Sequence, residues 1–199
     1  MKNVKNSEQY RSAAEILGCD PEVIMAVALI ESRGTGFLPG GKPKILYEPF
    51  VFGSRTGDKY NGTKIIISGI FYPLSLTGKW SRQAAVYGGE EIQHIKLNAA
   101  IELDEGEALN SCSWGKFQIM GFNYKLCGYD TVGDFVKSMY ESEQNHLDSF
   151  VRFIKNRGLA HYLRKKDWPG FAKKYNGAGY KANNYAVRLS DAYQKIIRG

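Results

Sequence analysis

The run VIMAVALI, introduced by Asp20-Pro21-Glu22 and followed at once by Glu31, limits this chain's fold more than any other stretch. Asp accepts bonds from the unpaired N–H groups of a helix start, Pro suits the first helical position, and Glu suits the positive end of the dipole. A helix is therefore predicted from about Pro21 to Ser32. Its side chains are apolar nearly all round, so it belongs in the middle of a domain and other elements must close over every face. Glu31 is thereby carried to the edge of a core, and Gly34 and Gly36 let the backbone leave the helix through conformations that a Cβ would penalise.

Enclosing such a helix requires a real core, and 199 residues with 43% hydrophobic and 13% aromatic content supply one. Composition does not shift along the chain. One domain over residues 12–199 is expected, after a tail over 1–11, with no separate wall-binding module before or after it. No stretch approaches the roughly 20 apolar residues of a membrane helix. The N-terminus MKNVKNSEQYRSAAEILG lacks the apolar segment of a signal peptide. Cys19, Cys112 and Cys127 are an odd set without CxxC spacing, which suggests reduced thiols made in a cytoplasm. Three scattered histidines without HExxH suggest no metal, and no cofactor is expected.

The formal charge of +7 favours a polyanionic partner: nucleic acid, anionic lipid or bacterial wall. The basic residues are dispersed, however, and the densest group is only Arg164-Lys165-Lys166. No nucleic-acid motif stands out, and a lysine-rich solvated surface explains the charge equally well.

Between about residues 42 and 77 the helical period vanishes, and KPKILYEPFVFG and TKIIISGIFYPLSL read as extended or irregular segments broken by Gly and Pro. A small β or loop lobe is expected there. Helical pattern returns over 82–98 and 101–109, is interrupted by Ser111-Cys112-Ser113-Trp114-Gly115, and resumes behind Thr131 as a cap. A further helix is expected over 141–157, ended by Gly158. Asp167 is placed to cap a short helix, and residues 183–197 form the last.

A glutamate at the end of an apolar helix suits the general acid of glycoside hydrolysis, because partial desolvation keeps a proton on the carboxyl near neutral pH. A glutamate there is also a common solvated residue or the partner of an arginine such as Arg33. The ordered downstream segments separate these readings. ESRGTGFLPGGKPKILYEPFVF from Glu31, SWGKFQIMGFNYKLCGY from Ser113, ESEQNHLDSFVRFI from Glu141 and DWPGFAKKYNGAGYKANNYAVRL from Asp167 follow in turn. Together they resemble the N-acetylmuramidase domain of phage endolysins, in the lysozyme-like superfamily with goose-type lysozymes and lytic transglycosylases. The resemblance spans roughly Ser12 to Tyr193.

The resemblance implies a mainly α, α+β lysozyme-like fold, with a helical lobe and a small β/loop lobe bordering a glycan cleft. It makes Glu31 the acid and points to Glu48 in ILYEPF as base or charge stabiliser, with Asp58 its main rival and Asp104 a weaker one. Gln118 offers an amide to a sugar or to Glu31, or else to its own turn. Tyr175 and Asn176 pair an amphipathic ring with an amide suited to N-acetyl sugars, and Trp114 is either a sugar platform or a core anchor.

The implied partner is bacterial peptidoglycan, met by a monomer without nucleic acid or stable membrane insertion. The implied setting is the host cytoplasm until a holin opens the membrane. Three alternatives stand beside hydrolysis of the muramoyl bond. They are a lytic transglycosylase forming 1,6-anhydro ends, a noncatalytic cationic wall or membrane binder, and a Cys-His amidase on Cys112.

Overall fold

Helix α2, Pro21–Ser32, forms as its sequence dictates, and five of its side chains explain the arrangement around it. Val23, Ile24, Ala26, Val27 and Ala28 are each no more than 3% exposed. In the computed structural model, which describes residues 7–33, 35–78, 87–177, 181 and 184–199, α2 packs against α1 (Ser7–Leu17) and the C-terminal helix α10 (Tyr185–Ile197). Residues 7–11, expected in a tail, are the start of α1, whose Ala13, Ala14 and Leu17 join the core. Asp20 sits at the N-cap position but makes no side-chain cap bond. Its carboxylate turns instead to Lys166 Nζ at 2.8 Å and accepts from the Tyr193 hydroxyl at 3.3 Å.

The small lobe begins with β1, Ile45–Tyr47. An antiparallel sheet forms from β1, β4 (Cys112–Trp114) and β5 (Ile119–Met120), with Ile45 opposite Trp114 and Ser113 opposite Met120. Strands β2 (Lys64–Ile67) and β3 (Ile70–Pro73) make a separate hairpin, turned by Ser68 and Gly69, both at positive φ as a tight two-residue turn requires. The stretch expected to lack helix nevertheless holds α3, Pro49–Arg55. Pro49 pre-sets its first turn after an extended Glu48, and seven residues are too few for the period to show.

The helical lobe then follows. Among the described residues it comprises α4 (Glu90–Ile101), α5 (Glu105–Asn110), a 3-10 turn (Gly121–Asn123), α6 (Val132–Glu141), α7 (Glu143–Asn156), α8 (Ala160–Arg164) and α9 (Trp168–Tyr175). Residues 79–86 lie outside the described residues, and with them most of the N-terminal half of the helix expected over 82–98. The expected 101–109 helix is cut by a turn at Leu103, where the Asp104 side chain caps α5 by accepting from Glu107 N. Thr131 caps α6, and Asp167 caps α9, each by accepting a backbone N–H. Ser142 is extended, ending α6 and capping α7, so the helix predicted over 141–157 starts at Glu143.

A continuous core joins α2 and the sheet to these helices through Tyr47, Phe52, Trp114, Phe117, Phe135, Phe150 and Phe171. No helix among the described residues is long and apolar enough to cross a membrane.

Two histidines are built into this core. His146 Nε2 meets Met139 O at 2.7 Å while its Nδ1 accepts from Lys116 N at 3.1 Å, so the bonding matches a neutral ring. His94 Nε2 meets Pro43 O at 2.9 Å. Burial holds both imidazoles below their ordinary value of 6.5. Below that value the unfolded chain binds protons that the folded one refuses, so stability drains away as pH falls. The melting temperature should rise from pH 5 to about 7 and then level off, and His94→Gln should reduce that slope; a flat profile across this window would contradict the linkage.

Candidate active site

The last turn of α2 opens onto a cleft of about 600 Å³ between the two lobes. Glu31 enters it from α2, Glu48 from the β1–α3 junction, Gln118 from the turn joining β4 to β5, and Tyr175 and Asn176 from the end of α9. Five expected site residues thus share one cleft although they span 146 positions of sequence, from Glu31 to Asn176. Among the described residues no three carboxylate, imidazole or thiol groups gather as a metal-ligand set.

Each carboxylate is held by a tyrosine. The Tyr185 hydroxyl, from the first turn of α10, donates to Glu31 Oε1, and the Tyr87 hydroxyl donates to Glu48 Oε2 at 2.8 Å. Burial first, and then the charge of Glu31, pushes the Tyr175 and Tyr185 phenols far above their ordinary range. Both therefore keep their protons and act as donors, Tyr175 to Phe117 O at 2.6 Å. Arg188, one turn along α10 from Tyr185, brings a cation to the cleft wall. Lys44 Nζ donates to Ser32 O at 3.1 Å, answering one of the open carbonyls at the end of α2.

Three expectations change. Trp114 is 1% exposed and donates from its indole to Leu109 O at 3.1 Å, so it is a core anchor and not a sugar platform. The exposed aromatic residue in the cleft is Phe122, at 42%, with Arg55 stacked over its ring. Asp58 is exposed in the turn after α3, at φ +60°, and does not line the cleft, while Asp104 caps α5.

Gln118 lines the cleft, but its amide accepts from Ser113 Oγ at 2.8 Å and donates to Gly115 O at 2.8 Å and Lys44 O at 3.3 Å. Its structural work is to lock the turn. Cys112 is wholly buried, and burial drives its thiol far up from 9, which leaves no thiolate for amidase chemistry.

Sequence reasoning also missed a knot behind Glu31. Glu143 accepts from Gly36 N at 2.7 Å and Thr35 Oγ1 at 2.9 Å, and pairs with Lys116 Nζ at 2.7 Å. His146 packs beneath, stacked 4.9 Å from Phe37. Gly36 is needed for this approach, since a Cβ there would lie 2.4 Å from His146 Nδ1. Its neighbour Gly34 lies outside the described residues, and the left-handed residue that ends α2 is Arg33, at φ +55°. ESEQNHLDSF thus clamps ESRGTGF to GKFQIM. Tyr185 and Phe122 were inside the quoted motifs, whereas Tyr87 carries no local signal.

Residues 20–197 match the model of the N-acetylmuramidase family. The chain is 34% identical over 109 residues to the endolysin of Enterobacteria phage PRD1, covering 52% of this chain and 69% of that protein. Its fold superposes on the crystal structure of the Burkholderia AP3 phage endolysin with a TM-score of 0.77 at 35% identity, over 96% of this chain and 69% of that one.

Gly115 sits at φ +68° with a Cβ position 2.9 Å from the His146 ring. Gly115→Ala combines left-handed strain with a clash against a buried side chain and should cost about 2–3 kcal/mol. Urea unfolding measures this, and a loss under about 0.5 kcal/mol would show that the knot yields freely.

Proposed function

The chain belongs to the N-acetylmuramidase family and is a peptidoglycan-lysing enzyme, and on that premise we propose that it hydrolyses the β-1,4 bond between N-acetylmuramic acid and N-acetylglucosamine. The observation that carries this reading is the meeting of Glu31 and Glu48 in one cleft, each with an oxygen fixed by a tyrosine hydroxyl. Glu31 stands at the C-terminal end of a buried helix, where the macrodipole favours an uncharged acid over a carboxylate. It gives its proton to the glycosidic oxygen as the C1–O bond breaks, and Tyr185 then steadies the carboxylate left behind.

Positive charge develops on the ring carbon. Glu48 faces that charge, and as base it takes a proton from the water that bonds to C1. Phe122 supplies an apolar face for a sugar ring, and Asn176, exposed at the end of α9, supplies an amide for an N-acetyl group. In this reading the enzyme works as a monomer, waits in the host cytoplasm and meets the wall after a holin opens the membrane. Its relatives' names as phage endolysins support that setting.

Clearing of purified peptidoglycan should slow by about a hundredfold or more in Glu31→Gln and in Glu48→Gln, since each removes a proton-transfer group. Wall clearing by Glu31→Gln at the parent rate would overturn Glu31 as the acid, and failure of the parent protein to clear purified walls would leave only a noncatalytic binder. Mass spectra of the products should show reducing ends gained with water, and 1,6-anhydro ends would make the enzyme a transglycosylase. Phe122→Ala should raise KM roughly fivefold with kcat within about twofold, the size of one aromatic contact worth about 1 kcal/mol; an unchanged KM removes Phe122 from the binding surface.

A further inference from the structure

Lys96 on α4 is 0% exposed, among the largest fully buried side chains of the protein. An ammonium in that position loses its hydration and persists only where the surroundings answer its charge. Its Nζ lies 5.3 Å from the centre of the Tyr47 ring and 5.6 Å from that of Tyr87. Both residues adjoin the second carboxylate: Tyr47 precedes Glu48 in the chain, and the Tyr87 hydroxyl donates to Glu48 Oε2.

Gln93, three residues before Lys96 on the same helix, grips the backbone of both tyrosines. Its Oε1 accepts from Tyr47 N at 3.1 Å, and its Nε2 donates to Tyr87 O at 2.6 Å. Gln93 and Lys96 of α4 therefore both hold the two tyrosines that adjoin Glu48. Burial lowers Lys96 from 10.5 to about 8, and the charge of Glu48 works against that fall. The ammonium is thus present at neutral pH, coupled to Glu48.

We propose that Lys96 is a positioning residue for the reaction: its buried ammonium, set between Tyr47 and Tyr87, holds Glu48 turned toward the Tyr87 hydroxyl, so that Glu48 serves as base while Glu31 serves as acid. A neutral side chain of the same length would fill the space without supplying the charge. The inference rests on the assignment of Glu48 as the second catalytic carboxylate.

Among the described residues, the titratable groups around this pair are few. Cys112 from β4 lies against Lys96 and is held as a thiol by its burial. Tyr140 from α6 faces Cys112. On α4 itself, His94 bonds Pro43 O, and Glu90 pairs at 3.8 Å with Lys44. Elsewhere on the cleft wall stand Glu31, Tyr175, Tyr185 and Arg188.

The test is the measurement of kcat and KM separately on purified peptidoglycan for the parent, Lys96→Met, Lys96→Arg and Glu48→Gln. In Lys96→Met kcat should fall by about tenfold, as expected when a proton-transfer group loses its aim. KM should stay within about twofold, and Lys96→Arg should recover most of the lost kcat. A folded Lys96→Met with an unchanged kcat, beside an inactive Glu48→Gln, overturns the role of Lys96 and leaves Glu48 in place.

An active Glu48→Gln overturns the assignment of Glu48 itself. Nitrogen NMR of the lysine side chain gives a second measurement that does not depend on Lys96→Met folding. In Glu48→Gln the Lys96 ammonium should lose its proton at lower pH than in the parent, because coupling between two sites is mutual; the same titration in both proteins overturns the proposal.

Discussion

The burial of α2 is the constraint from which the other arrangements follow. A twelve-residue helix with Val23, Ile24, Ala26, Val27 and Ala28 all in the core has no side to give to water, so α1 and α10 must both lie against it. Apolar area removed from water stabilises this arrangement at about 25 cal/mol per Å². It also has a chemical result. The helix that covers α2 is the one that carries Tyr185 and Arg188, so closing the core places a buried phenol donor against Glu31 and a cation on the same cleft wall. Residues 154 positions apart in sequence become partners because a hydrophobic helix needed a cover.

The other wall is organised by buried polar groups. Around His146, the N–H of Lys116, the carbonyl of Met139 and the close backbones of Gly36 and Gly115 form a satisfied network with Glu143 and Lys116 as its ion pair. Around Glu48, Gln93 bonds to the backbones of Tyr47 and Tyr87, and Lys96 lies buried between their rings. Such interior polar groups are destabilising when any member lacks its bond, and they hold geometry tightly when all are made. The first network ties the loop after α2 to the turn before β5, and the second ties α4 to Tyr47 and to Tyr87, whose hydroxyl donates to Glu48.

This division explains why the motifs behave unlike a roll of catalytic groups. Of the residues in SWGKFQIMGF, Trp114 and Phe117 are core, Gly115 makes room for His146, and Gln118 pins its own turn. Phe122 is the exposed aromatic face on the cleft. In ESEQNHLDSF, Glu143 and His146 act on other loops. Most of each motif builds the walls, and only one or two side chains face the space between them.

Local chemistry was enough for α2, for the caps at Thr131 and Asp167, for the mainly helical class with a small β lobe, and for Glu31 at the end of a buried helix. These depend on neighbours within a few positions, which a sequence displays directly. Helix α3 was hidden because seven residues do not establish a period, and the left-handed residue after α2 was Arg33, where glycine was the natural guess. The exposure of Trp114 against Phe122, the engagement of the Gln118 amide, the tyrosine donors to each carboxylate and the burial of Lys96 were decided by tertiary packing alone. A side chain's surroundings there come from segments tens to more than a hundred residues away, brought together by the need to cover α2, and no local pattern records which atoms will meet.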